Sequence, residues 1–152
     1  MTLDSYLVPE TIVRPKSFTG LMALYESNYL RLLRLIPDID QLDGCFRSRV
    51  AGASDLHMEI IERGRYTVTL SLTYYLKTSD GLLIKPDMTL RVYLDGQLAE
   101  VTAIGKQRGK GTLSHLVRGH RKELHVRWGR NIILNKWLEY LYDQGHLILD
   151  RW

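Results

Sequence analysis

Twelve consecutive residues, RYTVTLSLTYYL at 65–76, alternate without a break. Tyr66, Val68, Leu70, Leu72, Tyr74 and Leu76 fall on one side, and Arg65, Thr67, Thr69, Ser71, Thr73 and Tyr75 on the other. Period-two alternation in β-branched, aromatic and aliphatic residues is the signature of a strand with one buried face. A strand this long needs a hydrogen-bonding neighbour on each side and a layer over its apolar face. It therefore predicts a central strand, and the flanking chain must supply the rest.

On the N-terminal side, LHMEII at 56–61 is the natural neighbour. A three-residue loop at Glu62-Arg63-Gly64, with Gly64 left-handed, sets Ile60 opposite Tyr66, Met58 opposite Val68 and Leu56 opposite Leu70. The apolar faces then coincide, whereas a two-residue loop at Arg63-Gly64 mixes them. CFRSRV at 45–50 predicts a further short strand. On the C-terminal side, KTSDGLLIKPD reads as a loop turning at Ser79-Asp80-Gly81. MTLRVYL and QLAEVTA then flank Asp95-Gly96, a two-residue type I′ hairpin signal. That register pairs Met88 with Ala103, Leu90 with Val101 and Val92 with Ala99 on the core face. On the other face it sets Arg91 opposite Glu100 and Tyr93 opposite Leu98. LHVRW at 124–128 is one more strand candidate.

Two helices frame these strands. Ser17 is placed to cap SFTGLMALYESNYLRLLRLI, in which Phe18, Met22, Tyr25, Tyr29, Leu32, Leu33 and Ile36 form an apolar stripe. Leu24 and Leu35 lie off it, and Pro37 closes the helix at Ile36. Asn131 is placed to cap a second helix with Leu134, Trp137, Leu138 and Leu141 on one face and Gly145 as its stop. Leu147 to Leu149 are expected to pack back on the sheet. The expected fold is α+β, an antiparallel sheet of about five strands with an N-terminal and a C-terminal helix (17–36 and 131–144) packed on one face. Residues 1–16 carry Pro9 and Pro15 and no periodicity, and predict a mobile arm. Residues 17–152 predict a single domain, the size at which one core forms without a metal or disulfide.

Cys45 is the only cysteine and has no internal partner. No signal-peptide pattern and no run approaching the ~18 apolar residues of a membrane span is present. The expectation is a cytoplasmic protein away from membranes. Charge is the one uneven quantity. Residues 105–130 hold eight Lys and Arg against Glu123, a net of +7, while the whole chain is only +4, so the remainder is −3. Arg118, Arg121, Lys122, Arg127, Trp128 and Arg130 are the candidate anion-binding residues, since arginine beside an aromatic ring is suited to phosphates and stacked bases. Docking of the last helix explains the tryptophans equally well, and Trp137 on the apolar stripe is expected in the core.

Other constellations are weaker. GKQRGKGT at 105–112 lacks the four-residue spacing and the adjacent Lys-Ser/Thr of a phosphate loop, so a basic connection is the plainer reading. His115, His120 and His125 are spaced by five, which converges them on neither a helix nor a strand, so no metal is expected. Glu26 reads as an exposed helical acid, and His57 as a surface or hydrogen-bonded histidine beside Glu59. No catalytic set and no cofactor motif emerges.

LYESNYLRLLRLIPD at 24–38, ERGRYTVTLSL at 62–72, DMTLRVYLDGQLAEVTA at 87–103 and NIILNKWLEYLYDQG at 131–145 appear in the order seen in the YqiB-like family, and the chain resembles that bacterial family of unknown function. The resemblance implies a small cytosolic protein and carries over no catalytic residue. The expected function is a non-enzymatic binding or adaptor module that meets an anionic partner, an acidic protein surface before nucleic acid, through 105–130. The alternative is a small-ligand sensor or enzyme with a pocket between the sheet and that segment. Oligomeric state is not set by the sequence.

Overall fold

The computed structural model describes residues 17–74, 76–77, 83–84, 87–105 and 120–149, with the backbone alone for 76–77, 83–84 and 120–122. The chain is α+β. Helix α1 (Phe18–Leu35) precedes strands β1 (Cys45–Ser48), β2 (Leu56–Arg63), β3 (Thr67–Tyr74), β4 (Leu76–Lys77), β5 (Leu83–Ile84), β6 (Asp87–Tyr93) and β7 (Leu98–Ile104), and helix α2 (His120–Asp143) follows. Five strands form one antiparallel sheet in the order β1-β2-β3-β6-β7, so β3 is central. The stretch expected to be a loop after it carries the two-stranded ladder β4–β5.

Strand β3 is shorter than the alternation suggested. Val68, Leu70, Leu72 and Tyr74 are buried, but Tyr66 sits in the turn and is 51% exposed. The β2–β3 register also differs by four residues from the loop reading, with Leu56 opposite Tyr74, Met58 opposite Leu72 and Ile60 opposite Leu70. An even slip preserves the faces, which is why the apolar sides still coincide. A bulge between Ile60 and Glu62 shifts the pairs nearest the loop by one residue more, to Glu62–Thr69 and Arg63–Val68. Gly64 is not left-handed; its N–H donates to Thr67 O at 2.8 Å. Next to it the Arg63 guanidinium donates to the carbonyls of Asp40 (3.2 Å), Ile39 (2.9 Å) and Leu42, tying the hairpin to the turn that leaves α1.

The β6–β7 hairpin has the expected pairs Tyr93–Leu98, Val92–Ala99, Arg91–Glu100 and Leu90–Val101. Below them a register shift sets Ala103 opposite Thr89 and Ile104 opposite Met88, where the sequence had paired Met88 with Ala103. The turn is not type I′, because that form needs positive φ at Asp95 and Gly96, and the left-handed residue here is Gln97 at φ 57°.

Ser17 caps α1, its Oγ accepting the Gly20 N–H at 3.0 Å, and the helix closes at Ile36 before Pro37. Its buried side keeps Tyr25, Tyr29, Leu32 and Ile36 of the expected stripe but is rotated from it. Leu21, Leu24, Tyr25, Asn28, Leu32 and Leu35 are buried while Phe18 is 67% exposed. Asn28 lies at the middle of the buried face, so counting only apolar residues tilts the stripe. Helix α2 differs more. It starts about three turns before Asn131, so LHVRW is helical and not a strand, and Asn131 is an interior residue with no exposure and not a cap.

Asn131 meets the edge of the sheet. Its Oδ1 accepts the Val101 N–H at 3.0 Å and the Asn28 Nδ2 at 3.2 Å, and its Nδ2 donates back to Arg127 O at 2.8 Å. Asn28 Nδ2 also donates to Ala99 O at 3.4 Å, and its Oδ1 accepts from Asn135 Nδ2 at 2.9 Å. Asn135 reaches Ser27 Oγ at 3.0 Å. Further along the same seam Arg31 pairs with Glu139 at 3.6 Å, and the Arg34 guanidinium lies 5.1 Å from the Tyr142 ring centre. These pairs climb both helices together, so α1 and α2 run side by side in the same direction. The main core fills the space between them and the sheet's apolar face; a satellite of Leu21, Leu24 and Tyr25 packs with Leu98, Leu124, Trp128 and Ile132.

Leu70→Ala is expected to destabilise by about 2–5 kcal/mol in denaturant melts, because Leu70 is fully buried in the central strand. Thr69→Ala, on the half-buried opposite face, loses far less, and equal losses would mean the faces are reversed. Asn131→Ala is expected to cost about 2–4 kcal/mol, since it strands the buried Val101 N–H and one Asn28 proton. An unchanged melt would show that the edge contact carries no stability.

Candidate functional site

Of the six residues expected to meet an anion, Arg118 lies outside the described residues, as do the side chains of Arg121 and Lys122 in the first turn of α2. Arg127, Trp128 and Arg130 follow on the same helix and differ from one another. Arg127 donates from Nε and Nη2 to Glu123 Oε1, at 3.2 and 2.6 Å, and its Nη1 lies 4.0 Å from Glu100 Oε1. Glu100 also accepts the Tyr93 hydroxyl at 2.7 Å. Burial works against the Arg127 charge, but Glu123, with Tyr25 beside it, outweighs this and holds the guanidinium above its ordinary value. Burial first, and the Glu100 carboxylate second, push the Tyr25 hydroxyl up to about 12 against the pull of Arg127. One cation thus faces two carboxylates and is neutralised within the fold.

Trp128 packs on the Leu21, Leu24 and Tyr25 satellite, so part of its indole is already covered. Arg130 is partly buried, its Nε has no hydrogen-bond partner, and among the described residues no carboxylate pairs with it. Its Nε is buried, but its charge is not answered by a carboxylate among the described residues as that of Arg127 is. His125 and Glu26 are exposed. Among the described residues no three His, Cys, Asp or Glu side chains gather as metal ligands, and no helix is long and apolar enough to cross a membrane.

A second locality lies at the opposite edge of the sheet, where no candidate was sought. A groove of about 780 Å³ runs between β1 and residues 145–149, lined among others by Cys45, Arg47, Arg49, His57, Leu147 and Leu149. The chain enters it through Gly145 at φ 97°, the expected helix stop. Beyond it His146 and Ile148 turn inward while Leu147 and Leu149 are exposed. His146 is 2% exposed and bridges two elements: Nδ1 lies 2.9 Å from Ser48 Oγ on β1 and Nε2 lies 3.3 Å from the Tyr74 hydroxyl on β3. Ser48 Oγ also accepts the Leu147 N–H at 3.1 Å, and Ile148 N–H donates to Leu35 O at 2.8 Å. With its hydroxyl engaged on both sides and no carboxylate orienting the imidazole through a hydrogen bond, the Ser48–His146 pair is a clamp on the C-terminal segment, not an activated nucleophile. No sequence pattern announced it, since a single histidine beside LIL carries no spacing to read.

Burial holds the His146 imidazole below its ordinary value, although the Ser54 backbone, Asp55 and the Ser48 backbone pull the other way. The folded state therefore keeps it neutral where the unfolded chain, titrating near ~6.5, takes up a proton. The unfolded state binds more protons as pH falls, so the contribution of His146 is complete above about pH 6.5 and declines below it. The stability difference between wild type and His146→Gln is expected to shrink between about pH 7.5 and about pH 5 in urea melts. A constant difference would mean the imidazole has the same proton affinity in both states.

A family model described as Protein of unknown function (DUF1249) matches residues 31–147, a span from the middle of α1 through Leu147. No curated protein and no solved structure matches the chain.

Proposed function

The chain belongs to the DUF1249 family of proteins of unknown function, and from that premise we propose that it is a non-enzymatic binding module engaging an anionic partner through residues 105–130. An acidic protein surface is the first choice of partner and nucleic acid the second. Within the family we place it with the YqiB-like bacterial proteins, acting in the cytoplasm. The observation that carries the reading is the charge division, +7 in this stretch against −3 elsewhere, together with Arg130, whose guanidinium has no acid beside it among the described residues. The Arg127 contacts assign that residue to holding α2 against β7 and leave Arg118, Arg121, Lys122 and Arg130 as the partner's cations. Trp128 then offers an aromatic rim and not a full stacking face.

The small-ligand alternative has one observation in its favour, His57 beside Arg47 and Arg49 in the β1 groove. The pocket expected between the sheet and the basic segment involves residues outside the described ones. A metabolite held there and released by His57→Ala would move the reading to that alternative.

Anisotropy titrations with fluorescent polyglutamate and with a single-stranded oligonucleotide test the proposal. At least one is expected to bind at low salt, and affinity for the oligonucleotide should fall by orders of magnitude between ~50 and ~200 mM salt if about six or more phosphates are engaged. Replacing Arg121, Lys122 and Arg130 together with Ala flattens the slope, whereas Arg127→Ala chiefly lowers stability. Binding of neither polymer at low salt removes the proposal.

A further inference from the structure

The two edges of the five-stranded sheet are treated differently. At β7 the outward groups Ala99 O and Val101 N–H are met by Asn28 and Asn131. At β1 the Ile60 N–H donates to Gly44 O at 2.9 Å. By the alternation of an antiparallel ladder, Gly44, Phe46 and Ser48 therefore turn their backbone groups to β2, and Cys45 and Arg47 turn theirs outward. Among the described residues no backbone group meets them there. Residues 146–149 pass alongside but hold the edge by a side chain, through Ser48 Oγ, and the groove of about 780 Å³ separates them from it.

The lining states what fits. Among the described residues it carries Arg47 and Arg49 and no acid, and its outer wall offers Leu147 and Leu149, 46% and 40% exposed. Arg49 is shared with Asp55 at 3.4 Å in an exposed pair, while Arg47 has no carboxylate partner among the described residues. A second copy docking edge to edge would bring its own Arg47 and Arg49 to the same place, and like charges across a strand pair are destabilising. A strand bearing carboxylates has the opposite sign.

We propose that the β1 edge takes an extended acidic segment of a partner protein as a sixth strand. Its backbone pairs with Cys45 and Arg47, its carboxylates meet Arg47 and Arg49, and its alternate apolar side chains rest on Leu147 and Leu149. The described lining of this site includes neither Arg127, Trp128 nor Arg130 of α2, and the site stands whether or not 105–130 binds anything.

Amide exchange of the full-length ¹⁵N-labelled protein provides the test. The probe is the blocked hexapeptide Glu-Val-Glu-Leu-Glu-Val, with Lys-Val-Lys-Leu-Lys-Val as its control. The acidic peptide is expected to slow exchange at the Cys45 and Arg47 amides by about tenfold or more. Arg47→Glu, at an exposed position, is expected to weaken binding by about tenfold or more. Alanine replacement of Arg121, Lys122 and Arg130 leaves the effect intact. No slowing at these two amides in millimolar peptide overturns the proposal, as does equal slowing by the lysine peptide. Protection of both amides before any peptide is added also overturns it, because the edge would then be occupied by this chain or a second copy.

Discussion

The contact on which the arrangement of layers depends is the one between Asn131 and the outer edge of β7. An edge strand presents backbone donors and acceptors that water satisfies, and covering that edge with helices strips the water away. Asn131 Oδ1 and Asn28 Nδ2 restore what is lost, one accepting from Val101 and the other donating to Ala99. Both asparagines are fully buried, and each primary amide has several of its groups engaged. Because the partners are fixed backbone atoms, rotating α2 or sliding it by one residue would bury these groups unpaired, at about 1–3 kcal/mol each. Polar residues at a helix interface commonly set register in this way, and the Arg31–Glu139 pair further along extends the same alignment.

The same seam alters how the chain's charge is to be understood. Formal counting assigns the whole basic stretch to the outside, yet Arg127 spends its charge on Glu123 and Glu100, and Arg31 is buried against Glu139. Glu100 in turn belongs to the acidic remainder of the count. Part of the apparent separation of charge between segments is therefore an internal pairing across the α2–β7 junction. What is left unpaired is a smaller fraction, which includes residues such as Arg130 that have no carboxylate paired with them among the described residues.

The sheet was largely legible in the sequence. Alternation identified β3 and its neighbours, and the hairpin at Asp95-Gly96 placed Arg91 opposite Glu100 as found. Errors of register came from places where backbone geometry departs from the simplest ladder: the β2–β3 turn with its bulge after Ile60, and the shift between Thr89 and Leu90. The helices were less legible because their buried faces include asparagine. Asn28 in α1 drew the expected stripe toward Phe18. In α2, Asn131 and Asn135 occupy core positions alongside Leu134 and Leu138, and Gly129 weakens the run before them, so the first half of the helix looked like a strand and its interior like a beginning. The candidate site was only half readable for a different reason. Composition revealed the positive stretch, but which of its arginines are already spoken for depends on Glu100, distant in sequence, and the His146–Ser48–Tyr74 clamp joins three separate elements.

Capping one edge with asparagine side chains also gives the sheet a polarity it would otherwise lack. A sheet open at both ends is a link, able to pass strand pairing from one molecule to the next without limit, which is the geometry of a fibre. One closed at β7 is a terminus. Any strand that joins at β1 finds no second docking point on the far side, so growth stops after a single addition, whatever the concentration. Under the proposed strand addition, stoichiometry would thereby be set by two amides at the far end of the sheet, which touch no partner at all.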